Sequence, residues 1–124
     1  MSDATLLPPV TRAPLIADER RKSVRYPCGR KCLCWPLKQS PFRYWPAKVR
    51  DISTAGVCLF TDRSFELGTV LVIEMDETDR DASRLLLARV VRSTERKRGG
   101  YQLGCALSLE LSDHKLLSML PYPA

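Results

Sequence analysis

Tyr101-Gln102-Leu103-Gly104-Cys105-Ala106-Leu107-Ser108-Leu109 sorts its side chains onto two faces. Tyr101, Leu103, Cys105, Leu107 and Leu109 fall on one; Gln102, Gly104, Ala106 and Ser108 fall on the other. A period of two sustained this long marks a half-buried β-strand. Gly99-Gly100 just before it supplies a turn, and Arg84–Ser93 before that is a second strand.

Working back toward the N-terminus, the same pattern repeats in short runs. Thr69–Met75 is rich in β-branched residues, and Asp76–Ser83 is a polar loop with four acids. Val57–Thr61 is a strand, and Ser53–Gly56 turns it back from Trp45–Ile52, where Pro46 is tolerated near the start. Gln39, Ser40 and Pro41 place a loop at Lys38–Phe42, and Lys31–Trp35 is a strand stopped by Pro36. Six strands with short turns and no long helix predict an all-β chain built as a six-stranded antiparallel β-barrel. Ser112–Leu120 predicts a short C-terminal helix, with Ser112 as N-cap and Leu116, Leu117 and Leu120 on one stripe. Pro121 and Pro123 end it.

The predicted organisation is a flexible N-terminal tail over 1–17, a barrel domain over 18–112, and a short helix and tail over 113–124. Pro8, Pro9 and Pro14 leave the tail without a usable period. There are no internal repeats. The 124 residues fit one domain, and 44% hydrophobic with 27% charged residues fits a globular chain. No apolar run approaches the ~20 residues of a membrane span. Asp3 and the absence of a basic, then apolar, leader argue against a secretory signal. The expected location is cytoplasmic.

Charge is uneven. The net is +6, yet Arg20 to Arg50 holds ten Lys or Arg and no acid, leaving a formal −4 on the rest. Such focusing favours an anionic partner: phosphates, nucleic acid or an acidic protein surface. The five cysteines, Cys28, Cys32, Cys34, Cys58 and Cys105, are an odd set, which argues for reduced thiols. Cys28-x₃-Cys32-x-Cys34 lacks the matching second pair or histidines of a structural zinc site, so no metal is expected. Small thiols at Cys32 and Cys34 pack well on one buried strand face. His114 has no nucleophile or partner constellation, and neither a glycine-rich phosphate loop nor a paired-carboxylate pattern is present. The chain does not read as an enzyme. Trp35, Phe42, Tyr44 and Trp45 interleave with the basic region. Rings beside cations can stack single-stranded nucleic acid. The preferred reading is that they fill the barrel core and its mouth.

Two local patterns remain. Arg21-Lys22-Ser23-Val24-Arg25 is an arginine pair four apart, preceded by Arg20. Asp51-Ile52-Ser53-Thr54-Ala55-Gly56 is a D-x-S-x-x-G turn between two strands. The arginine spacing recurs at Arg80/Arg84 and Arg92/Arg96, so alone it says little; the turn pattern occurs once. Asp and Ser commonly shape turns, and Gly permits φ > 0.

In combination and in this order they resemble the PilZ domain family. Arg21 and Arg25 match the family's R-x-x-x-R segment ahead of the barrel. Asp51, Ser53 and Gly56 match its [D/N]-x-S-x-x-G turn. Ala88–Arg92 and Tyr101–Cys105 resemble its last hairpin. The resemblance covers roughly residues 18–112 and implies a PilZ-type barrel that receives cyclic di-GMP without any cofactor. It implies ligand-binding roles for Arg20, Arg21, Arg25, Asp51, Ser53 and Gly56. Arg20 carries two readings: a contact to a second, intercalated ligand, or a solvated surface arginine.

Elementary chemistry agrees. Arginine's planar fork bonds phosphate or the O6/N7 edge of guanine, and its flat face stacks on a purine. Asp51 can accept from guanine N–H donors. Ser53 can bond phosphate or stabilise the turn, and Gly56 permits a tight turn and close backbone approach. Ligand binding is expected to order Asp18–Arg25 against the barrel and to signal to a downstream protein partner. The alternative is a PilZ-like interaction module that binds a protein and no nucleotide. Nucleic-acid binding is the third reading, and the D-x-S-x-x-G turn speaks against it. Ligand number, monomer or dimer, and the output pathway stay open.

Overall fold

The computed structural model describes residues 24–39, 43–75 and 85–121. Seven strands appear in chain order: β1 (Tyr26–Pro27), β2 (Lys31–Pro36), β3 (Trp45–Ile52), β4 (Gly56–Thr61), β5 (Val70–Met75), β6 (Leu85–Glu95) and β7 (Tyr101–Leu107). Among the described residues one short helix, α1 (Asp113–Ser118), follows. All pairings are antiparallel. The order β3-β2-β5-β6-β7-β4, with β4 returning to β3, closes a six-stranded barrel. The two-residue β1 is added beyond the six predicted strands, lying against Asp51 and Ile52 of β3.

Alternation makes the wall. Cys32 and Cys34 of β2, Val49 and Ile52 of β3, and Val57 and Leu59 of β4 all point inward and are buried. Leu71, Ile73, Leu86, Ala88, Val90, Leu103 and Cys105 complete the packed interior. Each fully buried aliphatic side chain contributes roughly 1.5–3 kcal/mol of transfer free energy. All five cysteines are free and buried. Burial pushes the Cys32 and Cys105 thiols up to about 12 and Cys34 to about 11.

Alternation is broken twice, by one extra residue each time. The register of β3 against β4 shifts between Val49 and Asp51, and that of β6 against β7 shifts between Val90 and Arg92. A bulge of this kind turns two consecutive side chains to the same side. Arg50 and Asp51 therefore both face outward, as do Val91 and Arg92. Without the bulges, parity would aim Asp51 and Arg92 into the apolar interior.

Leu116 of α1, with Met119 and Leu120 just after the helix, packs against the core. Ser112 is the N-cap of α1, accepting from the Lys115 N–H at 3.1 Å. Arg30, in the loop between β1 and β2, donates Nε to the Met119 carbonyl at 2.8 Å and an Nη to Leu120 at 3.2 Å. It satisfies carbonyls that a helix end otherwise leaves open.

Several expectations need correction. β7 ends at Leu107, and Leu109 is 82% exposed, because the backbone leaves the ladder there. Leu107 N–H bonds the Ala55 carbonyl, and Leu111 N–H the Thr54 carbonyl, both at 2.8 Å. Leu117 lies off the buried stripe and is half exposed; Met119 takes its place. Trp35 faces outward from β2 against Tyr44, with ring centroids 6.0 Å apart, so neither fills the core. Trp45 does cover the barrel mouth, edge-on to Phe65 at 5.6 Å. The predicted tail over 1–17, Arg20, Arg21, Phe42 and the acidic loop Asp76–Ser83 lie outside the described residues.

Candidate functional site on the outer barrel wall

The turn after β3 is held by one buried hydroxyl. Ser53 is 2% exposed, and its Oγ accepts from the Ala55 N–H at 3.2 Å and the Gly56 N–H at 3.0 Å. The Ser53 N–H closes the turn by donating to the Gly56 carbonyl at 2.8 Å. The Ser53 hydroxyl therefore stabilises the turn.

Gly56 is required for space, not for a left-handed backbone. A Cβ there would stand 2.9 Å from the Cys105 carbonyl oxygen across β7 and 3.5 Å from a guanidinium nitrogen of Arg25. The positive-φ glycines are Gly29, Gly68, Gly99 and Gly100.

Arg25 lies directly over this turn. Its Nη1 donates to Asp51 Oδ1 at 2.8 Å, while Arg50 stands 3.7 Å from Oδ2. The Asp51 side chain is only 15% exposed, and Arg25 is 46% exposed. The two motifs that are 26 residues apart in sequence thus meet in one ion pair.

Register extends the site beyond the motif residues. Asp51 pairs with Cys58, Cys58 with Gly104, and Gly104 with Arg92. One step along, Gly56 pairs with Ala106 and Ala106 with Arg89. Gly56, Cys58, Gly104 and Ala106 form an outward floor of small residues. Arg25, Arg50 and Asp51 stand on one flank; Arg89 and Arg92 stand on the other. The Arg92 guanidinium lies over Gly104, with Nη2 3.2 Å and Cζ 3.5 Å from where a Cβ would sit. Burial raises the Cys58 thiol, and the Asp51 carboxylate adds to that, so the floor carries a neutral thiol.

Arg89, Arg92, Gly104 and Ala106 were legible as hairpin residues but not as site residues. Their closeness to Asp51 is fixed by long-range register and by the second bulge. His114 is exposed on α1. Among the described residues, no group of His, Cys, Asp or Glu is arranged to hold a metal ion. No described helix is long and apolar enough to cross a membrane.

The closed barrel thus carries, on its outer wall, charged residues over a floor of small ones. The family model for the PilZ domain matches residues 19–120, and the chain belongs to the PilZ family of ligand-binding effector modules, a family of cyclic di-GMP receptors. Among solved structures, the chain is similar to the Bacillus subtilis inhibitor of motility, MotI/DgrA. The TM-score is 0.56 at 17% identity, with 80% of this chain and 47% of that chain covered. The likeness shows the fold, and this chain spans about half the length of that protein. No curated protein matches the sequence.

Proposed function

We propose that this chain is a cyclic di-GMP receptor that performs no chemistry on its ligand. The carrying observation is the meeting of Arg25 and Asp51 over the Gly56 turn. The ligand brings two phosphates and two guanines to an outward floor without bulky side chains. Arg25 takes a phosphate or a guanine O6/N7 edge, and Asp51 accepts from guanine N1–H and N2–H₂. Arg92, lying over Gly104, offers a planar cationic face on which a purine stacks. Ser53 and Gly56 act indirectly, as positioning residues. Arg20 and Arg21 would close the ligand from the N-terminal side, and the newly fixed surface would engage a protein partner. The protein would work in the cytoplasm, without a cofactor.

The test is calorimetric titration of the full chain with cyclic di-GMP, beside Arg25→Ala and Asp51→Ala. Tight binding that each substitution weakens by roughly 1–3 kcal/mol supports the reading. Folded wild-type protein that takes up no ligand overturns it in favour of a PilZ module that binds protein alone.

A further inference from the structure

A second charged surface lies beside this site on the outer wall. Lys31 of β2 and Lys48 of β3 are directly opposite each other. Like charges facing across a strand pair are destabilising unless something neutralises them. Among the described residues, no ion pair joins Lys31, Lys48 or Arg96 to an acid. On its other side Lys48 is opposite Phe60, whose ring carries the Arg96 guanidinium at 3.9 Å. The bulge adds Arg50 to the same wall.

Beside Lys48 and Arg50 the surface is concave and largely apolar. A depression of about 330 Å³ is lined by Pro27, Gly29, Val49, Phe60 and Pro121, with Lys48 and Arg50 also on its lining. Pro121 follows the helix end that Arg30 ties to the β1–β2 loop, so this wall is fixed to the barrel.

We propose that this face is a docking surface for an acidic segment of a partner protein, one that places a single apolar side chain in the depression between flanking carboxylates. Charge complementarity argues for an anionic partner, and the rings argue against nucleic acid. Single-stranded nucleic acid needs open ring faces for its bases. Here Phe60 is covered by Arg96, and Arg63 covers both Trp45 at 4.3 Å and Phe65 at 4.8 Å. The exposed ring of Tyr44 leans on Trp35, four residues along β2 from Lys31 and so roughly 13 Å away. A guanidinium laid on a ring keeps its N–H edge for carboxylates. The barrel wall is closed at β3 and β4, so a partner cannot add a strand there and must be held by side chains.

The test is amide chemical-shift mapping of the full chain at low salt with three probes. These are a peptide of six glutamates around a central leucine, the same peptide with glutamines, and a deoxythymidine hexanucleotide. The glutamate peptide is expected to shift the amides of Lys31, Lys48, Arg50 and Phe60, and the glutamine peptide to leave them unmoved. Lys48→Glu, which pairs with Lys31 and so keeps the fold, is expected to weaken the glutamate peptide about tenfold. Its titration with cyclic di-GMP should match wild type, which separates this surface from the nucleotide site. The proposal is overturned if the two peptides behave alike, or if the hexanucleotide shifts the same residues at lower concentration.

Discussion

Arg25 holds Asp51 at 2.8 Å while both side chains keep some contact with water, Arg25 more than Asp51. A partly exposed ion pair is worth little to the fold, about 0–1 kcal/mol, because water and salt screen it. In the proposed receptor its value lies in aiming two groups of opposite charge at the same patch. Arg25→Ala should therefore lower unfolding free energy by less than about 1 kcal/mol in urea titration. The same variant should lose tenfold or more in cyclic di-GMP affinity, about 1.4 kcal/mol or above. A large stability loss with unchanged affinity would assign Arg25 to the scaffold.

Gly56→Ala should do the reverse at first sight and the same in the end. The added methyl meets the Cys105 carbonyl at 2.9 Å, and a backbone atom in a sheet cannot swing aside. Forcing β4 from β7 should cost roughly 1–3 kcal/mol, visible as a lower urea midpoint with unchanged slope. Ligand affinity should fall as well, because the turn carrying Asp51 moves with β4.

Arg92 separates receptor chemistry from architecture. It is exposed and lies on Gly104 without an ion pair among the described residues. Arg92→Ser should leave the unfolding free energy within about 0.5 kcal/mol of wild type. Cyclic di-GMP affinity should drop several-fold or more as the stacking platform is lost. Arg92→Lys should not restore it, since an ammonium offers a point charge and no plane. Full rescue by lysine would mean that the position contributes charge alone.

The buried thiols set an alkaline limit on stability. Cys32 and Cys105 are raised to about 12 and Cys34 to about 11, from an ordinary 9.0, chiefly by burial. Above pH 9 the unfolded chain sheds these protons while the folded one keeps them. The stabilisation is thus fully present below pH 9 and is lost as pH climbs toward 11–12. Each such thiol adds a slope of up to about 1.4 kcal/mol per pH unit. Urea midpoints between pH 8 and 10.5 should fall more steeply for wild type than for Cys32→Ala, although the variant starts lower. Parallel slopes would mean that the thiol titrates alike in both states.

The barrel itself was legible because its strands obey a two-residue period. Where that period fails, the reading failed too. Leu109 continues the alternation of Tyr101 to Leu107 on paper, but the chain has already turned off to bond Ala55 and Thr54. The cap at Ser112 was legible because it is local; the exposure of Leu117 depends on how α1 meets the barrel end. The motif residues Asp51, Ser53 and Gly56 declared the turn, yet not why glycine is needed: a carbonyl from β7 settles that. Arg89 and Arg92 stay silent in the sequence, because their distance from Asp51 is set by three strand registers and a bulge in β6. Local order carries the elements; non-local register carries the outer wall.

The five thiols have a practical side. All are buried, and the raised pKa of each keeps it in the unreactive thiol form at neutral pH. A cysteine introduced on the open wall, in place of exposed Thr94 for instance, which shares the outward face of Arg92, would meet a maleimide reagent essentially without competition from the native ones. The wild-type background therefore accepts a single fluorophore or spin label without first being stripped of its cysteines, and a label beside Arg92 would report occupancy of the wall directly.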